Sequence, residues 1–540
     1  MRATLGQPVA SPRAATGLFG PAAEILSVLA LLPLLVALAC PLLATGADGG
    51  YAQWWGTSRG YLALGRTVRL AALAATFALV PAWILVAGAA HLPRRWRGAA
   101  AWLACLPMLV PSSLLATAWI VALGREGAVT RAVQAVVGDV GLSVYSLPAA
   151  AVVVALRYFG LAALVLTQAR RQLEAGWPAR RVFRLPHARA FVHLTLRPAT
   201  RATAVAWLLV LLFAMNDHII PGMFLISTYG TQVLIQYAAL LDTSGAAALA
   251  APMAVVGAAA VAVALWGGGR AWSGLDRPAA AHRPPGRLVP RVLGAAASVA
   301  VLAVALAVPV GVLAQRAGSW RALGEALAAA RDQAWQTLLV SSAAGGLCMV
   351  VAAVLASRWV QAARRGARTA APLVLLNLTV PPSLLAIGMI HLSQTPAGAA
   401  VRDTPWPLIL GYVVRFLPVA TLMLYALWRR EPVEPVAAAR VHGVSTWGTL
   451  RHVLWPKHRL TLLAAGLLAG LLAATELEMS VLLVPPGAST LGVRLYTLIH
   501  TAPEPVTSAL ALDILLLVGP AILLFGLLVS LGRRQTAEAR

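Results

Sequence analysis

Charged residues are scarce in this 540-residue chain. Only 11% of the residues are Asp, Glu, Lys or Arg, and 60% are hydrophobic, whereas soluble domains carry about 25% charged residues. With a mean hydropathy of +0.79, this scarcity excludes a water-soluble enzyme and a disordered chain. The apolar residues instead form runs of about 20 or more, the length that crosses ~30 Å of hydrocarbon. The sequence therefore predicts an all-α polytopic membrane protein.

Lysine and cysteine are almost absent. Lys457 is the single lysine, and no GxxxxGK[ST] phosphate loop is present, so the chain has no ATP site of that kind. Cys40, Cys105 and Cys348 lie inside apolar runs and fit neither a zinc site nor a disulfide framework. HExxH and paired-Asp motifs are also lacking, which argues against a membrane-embedded enzyme. We predict no catalytic residue, metal site or cofactor in this chain.

Acidic residues are few as well. The chain has 18 of them against 43 basic residues, which gives a formal net charge of +25. A nucleic-acid-binding protein can have this balance, but here the basic residues are distributed between apolar runs rather than clustered on one domain. We therefore predict contact with membrane lipid and none with nucleic acid.

The apolar runs predict about twelve transmembrane helices. Their approximate limits are 24–46, 66–91, 98–123, 143–168, 199–225, 246–268, 292–315, 333–357, 370–393, 405–428, 459–484 and 508–532. Alternate connecting segments are rich in Arg, which places them and both termini in the cytoplasm by the positive-inside rule. Arg2 and Arg13 precede the first run as in a signal peptide. However, the run from Glu24 to Thr45 is long for one, so we expect a retained helix.

Three stretches of the sequence are repeated. VPSSLLATAWI begins at Val110 and VPPSLLAIGMI begins at Val380, with seven of eleven positions identical. RYFGLAALVL from Arg157 matches RFLPVATLML from Arg415. The octets ending at Tyr237 and Tyr496 also align. These matches predict two parallel six-helix repeats, 1–268 and 292–540, joined by a cytoplasmic linker over 269–291.

A long loop before the eleventh predicted span has a distinctive pattern. Ala437, Ala438, Ala439 and Gly443 fit A-A-A-x-x-x-G, and Trp455-Pro456 follows twelve residues after the glycine. This pattern predicts a short helix, a glycine turn, a second helix and a proline that ends it. Such a helix pair on the cytoplasmic side is suited to docking a soluble partner.

This loop resembles the EAA coupling loop of ATP-binding-cassette importer permeases. Ala437 takes the place of the usual glutamate and Trp455 that of the usual leucine, whereas the alanines, the glycine and the proline match. The order of spans and the stretch PPGASTLGVRLYTLIH also resemble the fused, two-in-one permeases of the ferric-iron type. In the first half the loop is degenerate. Its aligned positions are Pro178, Ala179, Arg184 and Pro198.

The resemblance implies a permease of the type I importer fold in a bacterial inner membrane. Two cytoplasmic ATPase subunits would bind ATP and Mg²⁺ and drive it, and a periplasmic binding protein would deliver the solute. Ferric iron is the first substrate that the resemblance suggests, and phosphonate or thiamine is also compatible with it. Because hydrolysis would occur on the partners, the chain itself would not be an enzyme.

Five ionisable residues fall inside predicted spans, four of them at matched repeat positions and His218 beside one of these. They are Arg157, Asp217, His218, Arg415 and Glu476. A lone charge at the centre of a bilayer costs at least ~2.5–3.5 kcal/mol, so these side chains should face the bundle interior or a wet cavity. One hypothesis has them line a translocation path. The other has Arg157 pair with Asp217, and Arg415 with Glu476, as structural ion pairs.

A secondary active transporter driven by an ion gradient is the alternative interpretation, since such proteins also have parallel repeats of six spans. The long loop before the fifth span of each half distinguishes the two. A secondary transporter of that kind more often has a long central loop alone.

Overall fold

A computed structural model describes most of the chain. The described residues are 20–45, 51, 55, 58–89, 91–92, 100, 103–138, 143–182, 197–272, 288–429, 439, 442–445, 448, 451–452 and 455–538. All regular secondary structure in this part of the chain is helical. We use N-terminal half for residues 1–268 and C-terminal half for residues 292–540.

The helices are labelled in chain order. In the N-terminal half they are Gly20–Thr45 (α1), Ser58–Ala89 (α2), Leu106–Leu109 (α3), Ser112–Leu123 (α4), Ala128–Val137 (α5), Leu147–Val182 (α6), Arg197–Met215 (α7), Ile219–Met223 (α8), Tyr229–Ala238 (α9) and Thr243–Trp272 (α10). Next come Leu288–Leu302 (α11), a π-helical turn Ala303–Ala307, Val308–Ala317 (α12), Trp320–Ala329 (α13) and Arg331–Arg365 (α14). The rest are Leu376–Thr379 (α15) after a 3₁₀ turn Ala371–Leu375, Pro382–Gln394 (α16), Trp406–Trp428 (α17), Trp455–Ala474 (α18), Glu478–Leu483 (α19), Leu491–Thr501 (α20) and Glu504–Glu538 (α21).

Nine helices in the described residues are long and apolar enough to cross a membrane. They are α1, α2, α6, α10, the continuous α11–α12, α14, α17, α18 and α21. The segments 371–379 and 382–394, which are bent by 112°, add a tenth if they count as one span. The predicted spans 98–123 and 199–225 contain the shorter helices α4 and α7. The chain is thus an all-α, multi-pass protein, with two predicted spans shorter than sequence hydropathy suggests.

The two repeated VP stretches have the same backbone geometry. Val110 has φ −81° and ψ 133°, and Val380 has φ −84° and ψ 140°. Each valine is extended because the proline after it, Pro111 or Pro381, disfavours the helical conformation of the preceding residue. Proline also lacks the N–H that would continue the helix. Each stretch therefore breaks its predicted span into two helices.

The predicted fifth and eleventh spans both end earlier than their hydropathy indicates. Helix α7 ends at Met215, just before Asp217, and α18 ends at Ala474, just before Glu476. The Asp217 carboxylate then accepts the N–H of Ile220 at 3.2 Å, which caps the short helix α8. The acids thus lie at helix breaks, where backbone N–H groups are free to bind them.

Two threonines on long helices hold the short helices that follow these breaks. Thr67 Oγ1 on α2 accepts the N–H of Tyr229 at 2.8 Å, and Thr337 Oγ1 on α14 accepts the N–H of Leu491 at 2.8 Å. Both acceptors satisfy an N–H at the start of a helix, which has no intrahelical partner. The same contact therefore occurs once in each half.

These caps also set the register of the short helices. Thr228 is the N-cap of α9 and Thr490 is the N-cap of α20, so the segments STYG and STLG correspond. The sequence alignment of the octets ending at Tyr237 and Tyr496 is displaced from this register by three residues. The alignment was wrong because it matched the terminal tyrosines rather than the cap.

Each half places its first long helix against the other half. Helix α1 packs on α14 and α16 of the C-terminal half, while α11 packs on α2 and α12 on α4 of the N-terminal half. The Asn377 amide donates to the carbonyl of Ala30 at 2.6 Å. At the other contact, a Cβ on Gly88 would lie 2.0 Å from the carbonyl oxygen of Gly294, so the two backbones touch. Small residues permit this approach.

Three helices form the inner part of each half in the same way. Helix α2 packs on α6 and α7, and α14 packs on α17 and α18. The predicted linker 269–291 overlaps the ends of α10 and α11, and residues 273–287 lie outside the described part of the chain.

Candidate functional site

Two arginines meet the broken helices near the middle of the bundle. The Arg157 guanidinium donates to the carbonyl oxygen of Val110. The Arg415 guanidinium donates to that of Val380 at 2.6 Å and to that of Asn377 at 3.1 Å. A helix break leaves backbone carbonyls without an intrahelical donor. Each arginine therefore supplies the missing donor at the repeated VP stretch of its own half.

The ion pairs of these arginines differ between the halves. Arg157 Nε lies 3.5 Å from Asp217 Oδ2, and both side chains are buried. Tyr158 donates its hydroxyl to the same carboxylate oxygen at 3.1 Å. This geometry agrees with the hypothesis that Arg157 and Asp217 pair. None of the ion pairs among the described residues joins Arg415 to Glu476. The Arg415 guanidinium donates to backbone carbonyls instead, and its charge acts on Glu476 without a direct contact.

A buried contact joins the two halves at this level. His218 Nδ1 lies 3.2 Å from Glu478 Oε2, and the two side chains are 10% and 4% exposed. The other carboxylate oxygen of Glu478 accepts the N–H of Ser383, at the start of α16, at 2.9 Å. The Asn216 amide donates to the carbonyl of Thr379 across the same interface at 3.2 Å. The residues that follow α7, Asn216 and His218, thus bind the C-terminal half.

These side chains surround one small cavity. Its volume is about 70 Å³, which exceeds the space that a single water molecule needs. All five ionisable residues identified in the sequence line it, namely Arg157, Asp217, His218, Arg415 and Glu476. Glu478 and Pro382 line it as well. The structure therefore brings together charged groups that are up to about 320 residues apart in the chain.

The pairing of His218 with Glu478 is a contact that the sequence did not reveal. Sequence repeats match equivalent positions, here Asp217 with Glu476. The His218–Glu478 contact joins non-equivalent positions across the interface, so it can be identified only from the arrangement of the two halves in the structure. The signal available in the sequence was the presence of a second acid, Glu478, two residues after Glu476.

The long loop before α18 is described in part, and that part includes its glycine turn. Gly443 has φ +71°, and the N–H of Val444 bonds to the carbonyl of Ala439 at 2.9 Å. A positive-φ glycine with this bond forms the Schellman end of a helix. Ser445 then accepts the N–H of Gly448 at 3.0 Å, as the N-cap of a following helix does. Ala437 and Ala438 lie outside the described residues.

The loop ends at the start of α18. Trp455 is the first residue of that helix and Pro456 the second, and Trp455 is 43% exposed. Proline is tolerated in the first turn because its missing N–H would have had no intrahelical partner. The proline therefore begins the span helix.

The degenerate loop of the N-terminal half has a different form. Helix α6 continues through Pro178 and Ala179 to Val182. Arg184 lies outside the described residues. Pro198 is the second residue of α7, the same place that Pro456 has in α18. The two loops therefore end alike, and the described glycine turn belongs to the second loop.

Comparison with known proteins adds no assignment: no family model matches the chain, and no curated protein matches it. Within the described residues, no three His, Cys, Asp or Glu side chains are grouped so as to hold a metal ion.

Proposed function

We propose that this chain is the permease subunit of an ATP-driven, binding-protein-dependent importer. The observation that carries the proposal is the buried polar cavity between the two halves. It is lined by the repeated arginines and by acids from both halves. Charged groups at this depth in a membrane protein are costly and typically mark a path for a polar solute. The glycine turn at Gly443 supports ATP rather than an ion gradient as the energy source.

The full layout belongs to the same proposal. Twelve membrane crossings would form two parallel six-helix repeats, 1–268 and 292–540, with both termini in the cytoplasm of a bacterial cell. The broken segments around Val110 and Val380 would each count as one crossing. Two cytoplasmic ATPase subunits would dock at the loop containing Gly443 and at its degenerate counterpart. A binding protein would deliver the solute from the opposite side.

The mechanism that follows is alternating access. Closure of the ATPase dimer would move the docking loops and rock the two halves against each other. The solute would then enter the space between the halves. Because the His218–Glu478 contact spans that space, the proposed motion must separate these two side chains. The arginines would keep their place, since each binds the backbone of its own half.

The resemblance of the sequence favours ferric iron as the solute, with phosphonate or thiamine as further candidates. Specificity in such a system rests largely with the binding protein. Solute identity is therefore part of the test.

The experiment compares two glycines of the same geometry. The chain would be reconstituted in liposomes with the ATPase and binding protein encoded beside it, and ATP hydrolysis measured with each candidate solute. Gly443 and Gly366 both have positive φ, at +71° and +63°, with open space around the missing side chain. Valine strains the backbone at either position.

The proposal predicts that Gly443→Val abolishes stimulation by the loaded binding protein, whereas Gly366→Val retains it. Equal loss in both variants would show a general effect of strain and would count against a docking loop. If no ATPase co-purifies and uptake follows a proton or sodium gradient, the chain is a secondary transporter and the proposal is wrong.

A further inference from the structure

A large apolar groove lies on the outside of the C-terminal half, away from the polar cavity. It runs between α14, α18 and α21 and has a volume of about 860 Å³. Its lining extends along α14 from Arg331 to Met349, about 27 Å at the rise of an α-helix. A groove of this length and polarity fits an extended alkyl chain better than a compact polar solute.

Two glycines that line the groove correspond to larger side chains of the N-terminal half. Counting from the matched threonines, Thr76 comes nine residues after Thr67, and Gly346 comes nine residues after Thr337. Counting back from the matched acids, Trp207 comes ten residues before Asp217, and Gly466 comes ten residues before Glu476. A threonine and a tryptophan thus correspond to two glycines.

In the N-terminal half those two side chains meet. The Trp207 indole N–H donates to Thr76 Oγ1 at 3.1 Å and bridges α7 and α2. In the C-terminal half Gly346 and Gly466 both line the groove, and a Cβ on Gly346 would meet no atom within 4 Å. A Cβ on Gly466, by contrast, would lie 3.0 Å from the carbonyl oxygen of Gly345 and 3.0 Å from Met349 Cβ, so the open space is on the Gly346 side.

Two of the polar side chains that line the groove already have hydrogen-bond partners. Thr337 accepts the N–H of Leu491 and donates to the carbonyl of Gln333 at 2.7 Å. Ser341 donates to the carbonyl of Leu338 at 3.3 Å. Water in the groove would therefore gain few hydrogen bonds, and an apolar occupant is favoured.

One end of the groove carries a cation and an indole. Arg331, the first residue of α14, is exposed and forms no ion pair with any described residue. Trp335 lies one turn further along the helix and is 64% exposed. An Arg beside a Trp is typical of the membrane interface, where lipid head groups lie. The exposed Asp332 beside Arg331 opposes the partial positive charge of the helix N-terminus, so the Arg331 guanidinium is the group at this end that would bind an anion.

We propose that this groove binds an anionic phospholipid. Its phosphate would bind Arg331 at the start of α14, and one acyl chain would extend over Gly346, whose counterpart Thr76 is covered by Trp207 in the other half. The site is distinct from the polar cavity, and it requires only that the chain lie in a membrane. The lipid-binding proposal therefore does not depend on the importer proposal.

The test counts bound lipid on the purified full-length chain. Delipidated protein would be titrated with phosphatidylglycerol or phosphatidylcholine of the same chain length, and binding followed by native mass spectrometry. Gly346→Leu fills the groove, and Ser342→Leu does so from a neighbouring exposed position. Gly311→Leu is the matched control, because Gly311 also has open space but lies on α12 outside the groove.

Wild-type protein should retain one more tightly bound phosphatidylglycerol than Gly346→Leu, and Gly311→Leu should bind as the wild type does. Arg331→Gln should reduce the preference for phosphatidylglycerol over phosphatidylcholine about fivefold, since one basic residue near the surface contributes about that much. Arg402→Gln, at another exposed position, should leave the preference unchanged.

Unchanged lipid binding in both Gly346→Leu and Ser342→Leu would overturn the proposal. An equal loss in Gly311→Leu would also overturn it, because the lipid would then bind the general surface. Equal binding of the two lipids by the wild type would overturn the role of Arg331. Retained folding of the filling variants is checked by their unfolding midpoints in lipid-free detergent.

Discussion

His218 and Glu478 join the two halves of the chain through a buried contact of 3.2 Å. The histidine follows the end of α7, and the glutamate begins α19. Because the carboxylate also accepts the N–H of Ser383, it connects the histidine of one half to the broken helix of the other. Any motion that opens the cavity between the halves must change this contact.

A double-mutant cycle on this pair should show strong coupling. We expect His218→Ala and Glu478→Gln to be non-additive by about 0.5–3 kcal/mol in the free energy of unfolding, because either change removes the same contact. Unfolding in mixed micelles provides the measurement. His452 is exposed, so His452→Ala combined with Glu478→Gln should be additive within ~0.5 kcal/mol. Additivity in both cycles would contradict the contact.

Removal of the Arg157 guanidinium should be strongly destabilising. We expect Arg157→Met to lower the free energy of unfolding by about 3–5 kcal/mol, because the buried Asp217 carboxylate loses its counter-ion. The double change Arg157→Met with Asp217→Asn should recover part of this loss. Arg316 forms an exposed pair with Glu504 at 2.7 Å, and Arg316→Met should cost less than about 1 kcal/mol. Similar losses at the two arginines would be inconsistent with a buried pair.

Replacement of Leu225 by glycine should stabilise the protein. Leu225 has φ +60° and is 77% exposed, and the N–H of Ile226 bonds to the carbonyl of Pro221 as at Gly443. A side chain in this conformation costs roughly 1–2 kcal/mol, so Leu225→Gly should raise the unfolding free energy by about 1 kcal/mol. Leu240 is also exposed but has no positive φ, and Leu240→Gly should bring no gain. A gain in both would point to lost surface hydrophobicity instead.

Asp242 should make stability depend on pH. Partial burial opposes its ionisation, but hydrogen bonds from the Gly245 N–H, the Gln236 amide and the Ser244 hydroxyl outweigh it and hold the pKa of the carboxyl below its ordinary value. A lowered pKa in the folded state contributes stability above the unfolded value of about 3.9. That contribution is lost as the pH falls through the folded pKa.

Unfolding midpoints of wild type and Asp242→Asn, measured across this range, check the effect. The advantage of the wild type should be full near neutral pH and shrink below about pH 4. Gln236→Ala, which removes one of the three donors, should show a smaller pH-dependent difference. If the difference in unfolding midpoint between wild type and Asp242→Asn stayed constant with pH, the ionisation of Asp242 would not be its cause, and the prediction would be wrong.

The features predictable from sequence were those set by local chemistry. Val110-Pro111 and Val380-Pro381 repeat in sequence, and the backbone effect of proline breaks both helices in the same way. Gly443 indicated a turn because a positive φ there suits glycine. The membrane-spanning nature of the chain followed from hydropathy alone, since hydrocarbon thickness sets the length of an apolar run.

Other features depend on contacts that no local pattern records. The hydropathy pattern did not predict the helix ends at Met215 and Ala474. The polar residues that follow these ends are too few to lower the average hydropathy of a window of span length. The Arg415–Glu476 pair was expected by analogy with Arg157 and Asp217. In the fold, the Arg415 guanidinium donates to the backbone carbonyls of Asn377 and Val380 instead, and no local sequence pattern indicates this.

The packing of each first helix on the opposite half has a consequence for how the chain assembles. If the chain were cut within 273–287, the first helix of each fragment would lose the contacts that it makes with the other half. Those contacts would form only when the two fragments associate, so their formation would depend on concentration. Covalent connection replaces that bimolecular search with a high effective concentration. The single chain thus guarantees one copy of each half in every molecule, and with it one complete set of the non-equivalent groups around the cavity.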